Sequence, residues 1–335
     1  MGLWQIGTDT LARSRFVLSP FAETFASLRL LHTETGAHPG EDAWLRAHLP
    51  GYRARLEADP VVAHLVRVAI GTSWIADFFC PTSCVGETFG ETVARVRETG
   101  AEEARANLRV CLKDSLPAAL ERNDLPERAT ALLTYVWEET VRPDWDRRRR
   151  VLEADMVART ARVNQGGWAA VLDSLQPGMT RWLGESRFQV NLNTYPPREI
   201  AAGAELLFMP VTPRTGWVSW EGRERYAVVY PCLGVLSEDH DRRPVPAGLG
   251  ALIGTARARL LALVGTPMST TQLVAVTGQG LGSVGRHLRV LLDAGLVQRR
   301  RAGRSVLYVR TAAGEVLMDA SGSDDGGREP QRAFA

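Results

Sequence analysis

Residues 282–311 read GSVGRHLRVLLDAGLVQRRRAGRSVLYVRT, and this stretch decides the fold of the C-terminal part of the chain. Leu281, Val284, Leu288, Leu291 and Leu292 recur at the spacing of one helix face, which predicts an amphipathic helix that buries that face. Ser283, Arg286, His287 and Arg289 fall largely on the other surfaces, where a side chain can reach a phosphate or a base edge. Gly295 follows the last periodic residue, at the position where a left-handed residue ends a helix. Leu296-Val297 opens a strand, Ala302-Gly303 supplies a turn, and Ser305-Val306-Leu307-Tyr308-Val309 alternates as the return strand. Arg299, Arg300, Arg301 and Arg304 crowd that hairpin.

The residues just upstream supply a partner helix. Ser269-Thr270-Thr271-Gln272 is a capping box, in which the serine hydroxyl and the glutamine amide each satisfy a backbone N–H left over at the helix start. Met268 and Leu273 occupy the two positions of a hydrophobic staple. The spacing predicts a short helix from Thr270 to Val276, a stop at Thr277-Gly278, and the next helix about four residues later. Helix, glycine turn, helix and basic hairpin is the order of a winged helix-turn-helix, with the second helix in the recognition position.

Charge agrees with this order. Residues 247–311 hold nine arginines and a single acid, Asp293, for a formal charge of +8, whereas the whole chain carries +2 and the remainder therefore −6. A basic module on an acidic body is the electrostatic pattern expected of phosphate contact. The residues expected to meet DNA are Thr270, Thr271, Gln279, Ser283, Arg286, His287, Arg289, Arg299, Arg300, Arg301 and Arg304.

On these motifs residues 248–318 resemble the winged helix-turn-helix of the ArsR-type transcriptional regulators. The residues that carry the resemblance are Ser269-Thr270-Thr271-Gln272-Leu273, Arg286-His287-Leu288, Leu291, Asp293-Ala294-Gly295-Leu296-Val297 and Gly303-Arg304-Ser305-Val306-Leu307-Tyr308. Upstream, Ser19-Pro20-Phe21-Ala22-Glu23, Leu206-Leu207-Phe208-Met209-Pro210 and Tyr230-Pro231-Cys232-Leu233-Gly234 are similar to a subgroup that carries a long region before the winged helix. The resemblance implies a homodimeric DNA-binding regulator that responds to a small-molecule effector, with repression relieved by ligand as the commoner logic.

Two departures qualify what carries over. The family's metal sensors hold a cysteine pair and an acid on the first helix of the motif, where this chain reads Thr271-Gln272-Leu273-Val274-Ala275-Val276. The C-terminal helix expected from Ala312 to Ala320 lacks the acid-and-histidine ligand set of the other common sensor site. No metal site and no cofactor are therefore expected. In the recognition helix, Gly280 and Gly285 stand where the family places small hydroxyl residues, with Gly282 between them. Each interior glycine costs about 1 kcal/mol relative to alanine, so a helix frayed in the free protein is expected.

The rest of the chain is bounded by composition. With 335 residues, 45% hydrophobic and 23% charged, it has the make-up of a soluble globular protein of two or three domains. No apolar run approaches the roughly 18 residues of a membrane span, and residues 1–4 open without a basic n-region or apolar core; a cytoplasmic location is expected. The fold class expected is α+β: a mainly helical region over 1–180, a β-rich segment over 181–240 packed on it, a winged helix-turn-helix over 241–320, and a disordered tail over 321–335. Residues 1–8 read as a strand and Thr10 to Thr33 as a helix interrupted near Ser19-Pro20. Helical periodicity runs from Asp42 to about Val171, punctuated at Pro50-Gly51, Pro126, Pro143 and Gly166-Gly167.

Other chemistry-bearing residues are weaker signals. Cys80 and Cys84 could form a redox pair or half a metal site, but no second pair or nearby histidine completes a ligand set, so free thiols are favoured. His32, His38, His48 and His64 are scattered, with no partner at zinc-ligand spacing. The four arginines at 147–150 read as a solvated helix face. Trp137, Trp145, Trp168, Trp182, Trp217 and Trp220 suit core packing, with an effector pocket as the alternative. No nucleophile elbow, P-loop, dinucleotide fingerprint or catalytic carboxylate pair is present, so a non-enzymatic role is expected. Two other readings stay open: a protein–protein module built on a degenerate winged helix, and a small-molecule enzyme with an autoregulatory winged helix.

Overall fold

The computed structural model describes residues 2–322 except 38, 72, 113, 194, 233–246, 266–267, 278 and 303–304. The chain divides into two compact units, residues 1–236 and 237–335. The fold is α+β. Among the described residues, no helix is long and apolar enough to cross a membrane.

The larger unit pairs a helical lobe with two sheets. Its helices are α1 (Thr8–Arg13), α2 (Pro20–Thr33), α3 (Pro39–Ala58), α4 (Pro60–Ala69), α5 (Phe89–Glu98), α6 (Ala101–Leu112), α7 (Leu125–Val136) and α8 (Trp145–Leu175). Local chemistry sets several of their starts. Ser19 accepts from the Ala22 N–H and Pro20 follows at the first helical position; Asp59 and Pro60 repeat that arrangement for α4. Thr88 and Glu91 form a reciprocal capping box for α5. Phe21, Phe25, Leu28, Leu65, Val96 and Leu133 are buried together where α2, α4, α5 and α7 converge.

The strands of this unit are β1 (Gly2–Gln5), β2 (Arg15–Phe16), β3 (Arg181–Gly184), β4 (Arg187–Asn191), β5 (Arg198–Glu199), β6 (Glu205–Val211), β7 (Trp217–Glu221) and β8 (Arg225–Pro231). One sheet has the order β3-β4-β1-β5 and the other β2-β6-β8-β7. The strands after residue 180 thus share both sheets with the first sixteen residues: Leu3 pairs Gln189 in antiparallel register, and Phe16 pairs Phe208 in parallel. The stretch expected as one interrupted helix over Thr10 to Thr33 is a helix, a short strand and a second helix. Val17 continues the strand's pairing through its N–H to the Phe208 carbonyl at 2.9 Å.

Two expectations are corrected by packing, and one is met. Pro50 lies inside α3 rather than ending it. Gly167, by contrast, adopts φ 70° and ψ 178° and kinks α8 where the glycine pair stands. The arginines at 147–150 do not form one solvated face: Arg148 is 1% exposed and donates to Glu23 Oε1 at 2.6 Å, Ser27 Oγ at 3.2 Å and Thr212 Oγ1 at 3.3 Å. Glu23 also accepts from the Thr212 N–H at 2.8 Å, so this buried ion pair joins α2, α8 and the end of β6. A second buried pair, Arg159 with Asp155 at 2.9 Å, has the Tyr230 ring under its guanidinium at 4.4 Å. Burial and the adjacent Asp155 carboxylate push the Tyr230 phenol well up, so it stays protonated and donates to Asp155 at 3.0 Å.

The smaller unit contains α9 (Ala247–Ile253), α10 (Thr255–Leu263), β9 (Met268–Ser269), α11 (Thr270–Thr277), α12 (Leu281–Asp293), β10 (Val297–Ala302), β11 (Ser305–Arg310) and α13 (Ala312–Gly322). Its sheet has the order β10-β11-β9. The helix expected to end at Ala320 runs to Gly322, and the remainder of the tail, 323–335, lies outside the described residues.

Candidate nucleic-acid interface

The site is built on one small core. Leu260, Leu261, Leu273, Val284, Leu288, Leu291 and Val297 bury against one another and fix α10, α11, α12 and the first wing strand. The capping box is formed: the Ser269 N–H donates to Gln272 Oε1 at 2.7 Å, and the Gln272 N–H to Ser269 Oγ at 3.2 Å. Met268 and Leu273, the staple positions, are both buried in this core. Their contact sets the angle at which the chain enters α11.

Helix α12 is held from below and ends in a defined cap. Val284, Leu288 and Leu291 are 0–1% exposed, one turn apart along a single face. The Leu296 N–H donates to the Leu291 carbonyl at 3.0 Å and the Gly295 N–H to the Leu292 carbonyl at 2.9 Å, with Gly295 at φ 69°. This is the Schellman arrangement, and the left-handed conformation it needs explains the glycine. Leu281 departs from its expected burial. It is 63% exposed because the first turn of α12 projects beyond the core that covers the later turns.

The outward face carries the polar residues. Arg286 and Arg289 are exposed, and Ser283 and His287 are partly exposed. Gly282 and Gly285 also lie on this surface; a Cβ added at either would meet nothing within 4 Å. The helix continues through both glycines, and Gly280 caps it without any side-chain hydrogen bond. Smooth helical backbone therefore comes with a bare surface, over which another backbone could approach closely.

Strands β10 and β11 form the wing in antiparallel register from Val297↔Arg310 to Ala302↔Ser305. Strand alternation puts Arg299 on the face opposite Arg300. Arg299 lines an open cleft with Arg289, Gly285, Tyr308 and Asp293, between the recognition helix and the wing. Arg300 is exposed on the other side of the hairpin. None of Arg286, Arg289, Arg299 and Arg300 makes an ion pair or hydrogen bond with another described residue. Arg310, by contrast, is buried and donates to Glu315 at 3.0 Å and the Ala262 carbonyl at 3.2 Å, a structural role.

The remaining expected contacts are distributed unevenly. Thr270 is partly buried at the start of α11. Gln279 is partly buried too, and its Oε1 is enclosed rather than presented to solvent. The side chains of Thr271 and Arg301, and all of Arg304, lie outside the described residues. Sequence reasoning took Tyr308 only as a strand residue and did not foresee it, or Asp293, as walls of the cleft. The register of the hairpin is the signal that would have found Tyr308, since it stands directly opposite Arg299.

Two recessed thiols belong to the other unit. Cys80 is buried and Cys84 partly so, and both are free. Burial pushes both thiols up, so neither is poised to ionise. Among the described residues no group of three or more His, Cys, Asp or Glu side chains could hold a metal ion.

Two short helices on one core, a recognition helix with a free polar face and a basic two-stranded wing define the winged helix-turn-helix class. Residues 258–299 match the model of the family described as bacterial regulatory protein, arsR family; the match covers most of α10, all of α11 and α12, and the start of β10. The chain thus carries an ArsR-type helix-turn-helix in its C-terminal unit, behind a long N-terminal region, and this domain supports a DNA-binding transcription regulator. No curated protein and no solved structure matches the chain.

Proposed function

We propose that this chain is a ligand-responsive repressor that binds, as a homodimer, a pseudo-palindromic operator. Two copies of α12 enter successive major grooves about 34 Å apart, the spacing of one helical turn of DNA. Arg286 reads a guanine through its paired N–H donors, with Ser283 and His287 at neighbouring bases or phosphates. Arg289 and Arg299 reach the backbone from the two sides of their shared cleft, and Arg300, Arg301 and Arg304 extend the contact along the wing. The chain acts by binding rather than by catalysis, and its N-terminal unit supplies the response to an effector.

The observation that supports this reading most directly is the state of the arginines. Arg286, Arg289, Arg299 and Arg300 are exposed on one small basic unit and lack partners among the described residues, while the helix beneath them is anchored by three buried aliphatic side chains. Charges held ready in this way suit phosphate contact, where counterion release supplies the affinity. Selection of bound duplexes from a random pool tests the reading. Enrichment of an inverted repeat with half-sites one turn apart is expected; no duplex retained even at low salt would reject it in favour of a protein–protein module.

A further inference from the structure

The N-terminal unit contains a cavity of about 200 Å³ between the helical lobe and the strands. Its walls are aromatic: Trp74, Tyr195, Trp217 and Trp220 line it. Trp74 and Trp220 meet edge to face at 5.3 Å between ring centroids, and Trp74 and Tyr195 at 5.8 Å. Hydrogen bonds hold this frame in place, with Asn193 Nδ2 donating to the Tyr195 hydroxyl at 3.0 Å and that hydroxyl donating to the Ser73 carbonyl. The walls are thus both flat and fixed.

One cation lines the same space, with no counter-ion among the described residues. Arg29, from α2, donates Nη1 to the Gly216 carbonyl at 3.0 Å and stands 5.4 Å from the Trp217 ring centroid. It makes no ion pair with any described carboxylate. Burial lowers its pKa, the mark of a charge held away from water. Its neighbour Cys80 does not neutralise it, because burial keeps that thiol protonated. Asp77 also lines the cavity, but the cation acting on it is Arg198, whose guanidinium lies 4.0 Å from the Trp220 ring centroid. A guanidinium enclosed beside aromatic faces, with donors left over and no carboxylate of its own, lacks an anion.

We infer that this cavity is an effector site for a small aromatic monocarboxylate, whose carboxylate pairs with Arg29 and whose ring lies among Trp74, Trp217 and Trp220. The size fits one or two fused rings, since a cavity of roughly 150 Å³ already accepts benzene. Asp77 sets the limit on charge: a second carboxylate on the ring would face it. The assignment of this site as an effector site rests on the proposed ligand-responsive reading; the binding itself does not.

Calorimetric titration of the full chain, without DNA, tests the binding. The probes are benzoate, indole-3-acetate, their neutral amides and the dianion phthalate. The acids are expected to bind one per chain, with the amides and phthalate weaker by about tenfold or more, the cost of removing one charge-assisted hydrogen bond or of adding a repelled charge. Arg29→Gln should weaken both acids by a similar factor and leave the amides unchanged. Absence of binding by both acids, equal binding of acid and amide, or wild-type affinity for the acids in a folded Arg29→Gln variant would overturn the inference. The comparison of acid, amide and dianion on the unaltered chain decides the matter if that variant does not fold. No duplex is in the cell, so a failure here leaves the DNA reading standing, and a failure to retain duplex leaves this titration readable.

Discussion

In the N-terminal unit arginine is mostly a structural residue, tied by its guanidinium to carboxylates both near and far along the chain; in the C-terminal unit the same residue is mostly left untied among the described residues. Arg148 reaches Glu23, Arg159 holds Asp155, Arg128 joins Asp59 and Asp124, and Arg95 bridges Glu87 and Glu221. Arg286, Arg289, Arg299 and Arg300 have no such partners among the described residues. A count of arginines does not distinguish the two uses. The surrounding acids do, because residues 247–311, with one carboxylate for nine arginines, cannot satisfy their cations internally. One residue in each unit runs against its trend: Arg310 is anchored by Glu315 of α13, and Arg29 lines a cavity.

The largest expected effect breaks the structural half of this contrast. Arg148→Ala should destabilise the chain by about 3–5 kcal/mol, because Glu23 would stay buried without its cation. Chemical denaturation with circular dichroism measures it, and the double variant with Glu23→Gln should recover part of the stability. A negligible change in the single variant would mean that the pair is not buried in solution. Next comes Arg286→Ala, expected to cost about 1–3 kcal/mol against the best operator and to flatten preference at one base position. Its unfolding midpoint should be unchanged, since the side chain supports nothing in the fold. Unaltered preference in a selection experiment would remove Arg286 from base reading.

Replacing Arg299 and Arg300 together by alanine should act differently again. Binding should weaken on all duplexes alike, and the slope of log affinity against log salt should become shallower by roughly 0.9 for each phosphate that the variant no longer neutralises. An unchanged slope would place both side chains off the backbone. The smallest effect sharpens the comparison: Gly285→Ala has open space for its Cβ and should stabilise the free C-terminal unit by about 1 kcal/mol. If DNA affinity nevertheless falls, the bare surface at Gly285 is itself a contact.

Legibility in the sequence followed the range of the interactions. Ser269 with Gln272, Gly295 after Leu292, and the periodic Val284, Leu288 and Leu291 are local rules, so the whole winged helix could be read from them. The role of Arg148 could not. The side chains that bury it, Glu23, Ser27 and Thr212, lie 125, 121 and 64 residues away, and within a run of four arginines nothing marks the one that turns inward. The aromatic cavity was half legible: Trp217 and Trp220 stood out, but the loops carrying Trp74 and Tyr195 meet them only through tertiary packing. Leu281 failed for a different reason, since periodicity gives a face and not how far the core extends along it.

The pairing of β1 with β4 and of β2 with β6 has a consequence in time. On a ribosome working at about 5–20 residues per second, β1 waits roughly ten to forty seconds before Asn191 exists to pair with it. Throughout that interval the first two strands are edges without neighbours, in a nascent chain whose helices can already be forming. Sheet closure across nearly two hundred residues also makes this unit a slow folder, whereas the winged helix, built from contacts close in sequence, can form quickly once it has been made.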